Sequence, residues 1–409
     1  LAGLGADVIK IEPPGGDPAR NIGPFYKDIA HPEKSLSWFY TNLNKRGITL
    51  NLEIGEGREI FKKLVAKADA VIESFEPGYL DSLGLGYGEL EKVNPGIIMT
   101  SITPFGQRGP YARFKATDLV GMSMGGMVRI FGDLNEAPCR TSLPQFYFLG
   151  SLHGTAGTMM ALYHAELTGE GQWVDVACRD AIVKSLQNVI SAWELSRANL
   201  KGIGGGIVTP RPKPLGDLFT RRIWECKDGH VVIMLGGGAQ LGMVAASRAL
   251  IELANENGMA LELKDYDWRT WNAATITQEA ADRIFKPIAD FLKSKTKAEL
   301  FNEAYKRSML LAPVNNIGEV LESQQLRERG FWVEVEHPEL GTTMTYPGFP
   351  MKLSGLSYRP QRRAPLIGEH NEEVYMGELG LSKSDLILLK ANPINSSNQA
   401  TQHNSNPTA

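Results

Sequence analysis

Two loops carry the residue types that handle anions. Glu12-Pro-Pro-Gly-Gly-Asp-Pro-Ala-Arg20 is a turn cluster straight after a β-like run. In an open α/β sheet, ligands sit beyond the carboxyl ends of strands. The guanidinium of Arg20 could grip a phosphate there through two parallel hydrogen bonds. Against this stands a plain turn, which is what such compositions commonly build. The second loop, Leu235-Gly-Gly-Gly-Ala-Gln240, also follows a β-like run and precedes a helical one. It is neither GxGxxG nor a Walker sequence, and three glycines often mark only a tight turn. Its functional version is a flexible lid whose N–H groups approach an anion or shield an intermediate. Lys45-Arg46 and Lys115 add positive charge, although a surface lysine is ordinarily just solvated. His153 lies on an apolar helix, where a buried, hydrogen-bonded histidine is commoner than a base or ligand. No Ser-His-Asp arrangement, HExxH or paired cysteines can be picked out.

The elements that must position these loops form an α/β pattern. Asp7–Glu12, Gly47–Leu52, Ala70–Phe75 and Ile97–Thr103 are rich in Val, Ile and Thr. Helical stretches such as Glu56–Ala68 separate them, with Ile60, Phe61, Leu64 and Val65 on one face. That rhythm predicts a mostly parallel, doubly wound sheet covered by helices. Helices over Thr155–Leu167 and Asp180–Leu200 follow, separated by a strand at Gln172–Ala177; the apolar segment Leu149–Tyr163 reads as a core helix. Glycines and prolines crowd Gly202–Asp217, which reads as a linker or wrapped loop. Arg222–Cys226, the turn Lys227-Asp228-Gly229 and His230–Leu235 make a hairpin signature, and Thr296-Lys-Ala-Glu299 is a capping box.

The expected domains are therefore a first large segment over 1–200, a linker over 201–219, a small α+β domain over 220–320, a linker over 321–334, and a return to the large domain over 335–390. The polar stretch 391–409 is expected to be a disordered tail. The chain opens without Met and without a signal-peptide pattern, like the end of a helix running into a strand.

With 409 residues, 43% hydrophobic and 22% charged, the chain can bury a sizeable core. A net charge of −3 gives no basic face for nucleic acid. No apolar run reaches the roughly 20 residues of a membrane span. Cys139, Cys178 and Cys226 lie far apart, which argues against a disulfide framework or metal site and for a reducing, cytoplasmic setting.

Several stretches, in order, resemble the class III CoA-transferases, the family of formyl-CoA transferase, carnitine CoA-transferase and α-methylacyl-CoA racemase. They include Leu4-Gly-Ala-Asp-Val-Ile-Lys-Ile-Glu-Pro-Pro-Gly-Gly-Asp17, Asn44-Lys-Arg-Gly-Ile-Thr-Leu-Asn-Leu52, Ala70-Val-Ile-Glu-Ser-Phe-Glu-Pro-Gly78, Thr168-Gly-Glu-Gly-Gln-Trp-Val-Asp-Val176 and Ala364-Pro-Leu-Ile-Gly-Glu-His370. The resemblance implies a Rossmann-like, doubly wound large domain, a small α+β domain and two chains interlocked like rings. CoA and its thioesters enter as substrates, with no permanently bound cofactor. Carried over by position, Arg20 lies near the nucleotide end of CoA. Leu50, Ser74 and Phe75 line the adenine and ribose pocket, Leu83 forms another wall, and Lys115 nears the phosphates. Gly236, Gly237 and Gly238 match the glycine loop over the active site.

In this family an aspartate attacks the donor thioester to give a mixed anhydride. The released CoA thiolate converts that anhydride to an aspartyl-CoA thioester, from which the acceptor acid takes CoA. The matching position here is Tyr147, or Phe146 with a one-residue gap, and no Asp or Glu lies between Arg140 and Glu166. A phenol, with a pKa of about 10, is a poor substitute. The racemase pair is incomplete too, since its upstream histidine is replaced by Thr117-Asp118. The resemblance therefore implies the non-nucleophilic subunit of a heteromer, as in two-subunit, benzylsuccinate-type members, whose paralogous partner carries the aspartate. Two alternatives stand beside it: a homodimeric acyl-CoA isomerase using Asp118, Glu73 or Asp217 as base, and a CoA-binding scaffold without activity.

Overall fold

The structure, a computed structural model, describes residues 1–133, 136–209, 215–355 and 362–385. The chain parts into two compact units. One comprises Leu1–Gly121, Gln145–Ile182 and the described residues from Ser323 on; the other comprises Met122–Pro144 and Val183–Glu322.

In the first unit the β-branched runs become parallel strands: β1 (Val8–Glu12), β2 (Lys45–Thr49), β3 (Ala70–Glu73), β4 (Ile98–Thr103) and β5 (Gln172–Ala177). They hydrogen-bond in two groups, β1 with β2, and β3 with β4 and β5. The single wound sheet expected from the sequence is thus seen as two smaller parallel sheets, and no described strand bonds to both. The helix Gly55–Val65 buries Ile60, Phe61 and Val65 in a core with Ile48, Leu50, Leu80, Leu85, Leu90, Ile97 and Met99. The segment after Arg362 closes this core with Val374 and Tyr375. It is fastened to β2 by His370 N–H to the Gly47 carbonyl (2.9 Å) and the Tyr375 hydroxyl to the Thr49 carbonyl (2.8 Å).

The helix expected over Thr155–Leu167 runs from Gln145 to Thr168. Gly150, Gly154 and Gly157 let it press on the sheet. A Cβ at these positions would stand 2.4 Å from Cys178 Sγ, 2.5 Å from Ile102 Cδ1 and 2.8 Å from Val174 Cγ1. The core-helix reading holds for this face alone, because Leu152, Met159, Met160, Tyr163 and Leu167 are exposed in the single chain. The helix expected over Asp180–Leu200 is two, Cys178–Ser185 and Gln187–Ser196, since Leu186 between them departs from helical geometry (φ −97°, ψ 27°).

In the second unit, β6 (Gly206–Thr209) pairs antiparallel with β7 (Leu218–Arg221), so part of the expected linker is a strand; residues 210–214 lie outside the described residues. β8 (Ile223–Cys226), β9 (Gly229–Ile233) and β10 (Leu311–Val314) form an antiparallel sheet in the order β10-β9-β8. Helices Leu241–Glu256, Gln278–Lys293 and Lys297–Arg307 cover a core that includes Trp224, Ile233, Leu250, Trp268, Phe285 and Phe291. Both hydrogen bonds of the Thr296–Glu299 capping box are present. Back in the first unit, the expected linker 321–334 holds a short helix, Gln324–Glu328, and the start of β11 (Trp332–His337), which pairs antiparallel with β12 (Thr342–Pro347). The expected tail, 391–409, lies outside the described residues. No helix among the described residues is long and apolar enough to cross a membrane.

Candidate functional site

The carboxyl end of β3 opens into a cleft. After Glu73 the Phe75 N–H turns back to donate to Glu73 Oε2 (2.7 Å), and Gly78, at φ +87°, starts the next short helix. Such a φ strains any residue bearing a Cβ. The Phe75 ring, 43% exposed, lies 4.8 Å from that of Tyr79. With Glu76, Pro77, Gly78 and Arg113 they line a cavity of about 440 Å³. Burial, together with the Tyr79 hydroxyl's hydrogen bond to Glu53, pushes the Tyr79 phenol up to about 12, so it stays neutral at ordinary pH. Lys115 is exposed, with Nζ 3.7 Å from Glu76. An open aromatic pair edged by two cations suits a flat heterocycle carrying oxyanions.

Of the residues expected around a nucleotide pocket, Ser74 and Phe75 lie exposed at this rim. Leu50 is in the apolar core, and Leu83 packs against that core. Sequence reasoning missed Tyr79 and Arg113; the available signals were an aromatic four residues after Phe75 and a second cation beside Lys115.

Arg20 is not at the cleft surface. It is 0% exposed. Its Nε and Nη2 donate to Glu12 (2.6 and 2.8 Å), Nη1 to Glu33 (2.7 Å), and Nη2 also to the Pro365 carbonyl (2.9 Å). The guanidinium lies 4.0 Å from the Trp38 ring centroid. The fork that the loop offered to a phosphate is here taken by two carboxylates, and it ties the turn cluster to the chain's return segment.

The helix Gln145–Thr168 begins with Phe146 and Tyr147, the residues that the sequence reading sets against the family's nucleophile. Phe146 is 0% exposed, and its N–H donates to Asp118 Oδ1 (3.1 Å). Asp118 thus satisfies a helix-terminal donor from outside the helix. Its other oxygen, Oδ2, is buried without a partner among the described residues. The Phe146 ring lies flat on Gly121, where a Cβ would be 2.2 Å from it. Tyr147 is 47% exposed, and its hydroxyl donates to the Ala116 carbonyl (3.4 Å). Burial, then the Asp118 carboxylate and Cys178, hold the Tyr147 phenol above its ordinary value. That makes it a still poorer nucleophile. Arg113 lines the cleft, while Ala116 and Asp118 touch the helix start, so one short stretch serves both places.

Burial raises the Glu73 carboxyl; hydrogen bonds from Ser101 and the Phe75 N–H oppose this, and Asp81 and Asp175 add to it. Asp217, another candidate base, lies in the second unit.

The glycine loop, also in the second unit, is fastened rather than loose. Gly236 donates to Ser247 Oγ (3.1 Å) and accepts from it (2.9 Å), and Gly238 N–H donates to the Trp268 carbonyl (3.0 Å). Gly237 is glycine because of close approach: a Cβ would stand 1.7 Å from the Trp268 carbonyl oxygen. A lid motion would have to break these bonds. Gly237→Ala is expected to cost about 3 kcal/mol, at the upper end for overpacking, read as a lower denaturation midpoint with unchanged m-value.

A family model described as CoA-transferase family III matches residues 1–371. Succinyl-CoA:(R)-benzylsuccinate CoA-transferase subunit BbsE of Thauera aromatica is 34% identical over 380 residues, covering 91% of this chain and 88% of that protein. Formyl-CoA:oxalate CoA-transferase of Streptomyces coelicolor is 32% identical over 406 residues, covering 96% and 93%. Among solved structures, a CAIB/BAIF family protein from Brucella suis superimposes with a TM-score of 0.74 at 27% identity, over 92% of this chain and 93% of that one.

Proposed function

The chain belongs to CoA-transferase family III, and on that premise we propose that it is the non-nucleophilic subunit of a heteromeric CoA-transferase. The enzyme moves CoA from a donor such as succinyl-CoA to an organic acid, of the benzylsuccinate type. One observation supports this reading: Phe146 and Tyr147, which we align with the nucleophile position, are one sealed in the core and the other an unactivated phenol. The carboxylate that meets this helix start, Asp118, already holds it through the Phe146 N–H. A paralogous chain, in a heterodimer or heterotetramer, supplies the attacking aspartate.

The partner reading is supported by the relative named as a subunit and by the exposed apolar face with Leu152, Met159, Met160, Tyr163 and Leu167, a patch of the kind that marks protein contacts. We take the two chains to interlock as rings around Rossmann-like large domains, in the cytoplasm. Reconstitution tests the reading: activity from the mixed pair only is expected, and robust transfer by this chain as a pure homodimer would remove it.

CoA is assigned to the cleft of Phe75 and Tyr79, its adenine against the rings and its phosphates toward Arg113 and Lys115. Phe75→Ala should weaken CoA binding by about 5- to 150-fold, from the ~1–3 kcal/mol of a base–aromatic stack. Lys115→Ala should weaken it by only a few-fold, and less in high salt, because that ammonium is exposed. Calorimetric titration of CoA reads both.

A further inference from the structure

Arg222 connects β7 to β8 in the second unit and is held on a rigid backbone. Its N–H donates to the Gly205 carbonyl (2.7 Å), and its carbonyl accepts from the Ile233 N–H (2.8 Å). The side chain reaches the exit of β9, where Nη1 donates to the Leu235 carbonyl (3.3 Å), the residue just before Gly236. Nε is buried and has no hydrogen-bond partner among the described residues. Burial pushes the guanidinium below its ordinary value, and no carboxylate among the described residues opposes this. Arg20, Arg46, Arg307 and Arg363 differ, each meeting at least one carboxylate within 3.0 Å. A half-buried cation without a counter-charge destabilises the fold. Such local conflicts with the rules of stability mark functional positions, and the planar fork of arginine matches a carboxylate.

We propose that Arg222, beside the Gly236–Gly238 loop, is a carboxylate-binding subsite that takes the free carboxylate of a dicarboxylic substrate. This rests on the reading of the chain as part of an acyl-CoA-handling enzyme. The shared chemistry is a carboxylate on a short carbon chain, carried either by the donor's acyl group or by a free acid.

The test measures binding to the assembled protein of succinyl-CoA, of butyryl-CoA (the same acyl length without the carboxylate) and of free succinate. Wild type and Arg222→Gln are compared, with Arg222→Lys as the conservative variant. Wild type is expected to prefer succinyl-CoA over butyryl-CoA by at least about tenfold, the scale of a hydrogen bond to a charged group. Arg222→Gln should lose that preference with butyryl-CoA binding unchanged, and Arg222→Lys should keep part of it. Arg222-dependent binding of free succinate, without a preference between the esters, assigns the subsite to the free acid instead. A preference that survives in Arg222→Gln overturns the proposal, as does equal weakening of both esters, or loss of assembly, which would mean that a partner's carboxylate is the counter-charge. If wild type binds neither ester, the acyl-CoA reading fails; Arg222-dependent succinate binding would then still uphold the subsite, and its absence would end both. A second readout is thermal: Arg222→Met should raise the melting temperature, because it removes an uncompensated charge. A fall would mark a structural role and contradict the proposal.

Discussion

Phe146→Asp is expected to unfold the chain, while Tyr147→Asp, one residue further on, is expected to fold. Phe146 is sealed, and its ring fills the space over Gly121. Truncating such an aromatic costs about 3–5 kcal/mol through lost transfer energy and the cavity left behind. Aspartate adds a carboxylate in the same apolar space, close to Asp118 and its unpartnered Oδ2. Burying an uncompensated charge costs several kcal/mol more, so the sum rivals the roughly 5–15 kcal/mol that holds a whole domain together. Tyr147 stands half in solvent, near the positive end of a helix dipole, where a carboxylate gains about 0.3–1 kcal/mol. That gain offsets part of the lost ring contact, and the net change should stay within about 1.5 kcal/mol. Circular dichroism with urea denaturation compares the two. A folded Phe146→Asp would mean that Phe146 is not a core residue.

The second large effect is on rate. Alone, the chain should transfer CoA between succinyl-CoA and an acceptor acid at no more than about 10⁻⁴ of the rate of the complex, since removing a covalent nucleophile can cost about 10⁶ in rate. Mutating the sister chain's aspartate to alanine should bring the complex down to the same floor. Phe75→Ala in this chain should leave the maximal rate less changed than CoA affinity at this chain's own cleft, because the proposed placement sets its ring against the nucleotide and not the reacting carbonyl.

Much of the first unit was legible locally. β5 was read to the residue, because Val174 and Val176 continue a β-branched pattern bounded by glycines and Cys178. The hairpin of β8 and β9 and the Thr296–Glu299 box were legible for the same reason: each is specified by neighbours in sequence. The misreadings involve distant partners. β6 hides in a glycine-rich stretch, since its pairing with β7 is what makes it a strand. The early start of the helix at Gln145 depends on Asp118, 28 residues before the N–H it receives. Arg20 looked like a phosphate grip because Glu33 and the Pro365 carbonyl, 345 residues away, could not be seen meeting it. At the candidate site, composition offered the glycines and cations. Family likeness was needed to expect a carboxylate at the start of that helix, where composition alone marks nothing.

The most direct measurement is mass spectrometry of the protein after turnover with an acyl-CoA donor, quenched so that acyl-enzyme thioesters survive. In the complex, a CoA adduct is expected on an aspartate of the sister chain and on no residue of this one. A covalent CoA adduct on this polypeptide, formed with no other protein present, would contradict the assignment of Phe146 and Tyr147 to a vacated nucleophile position.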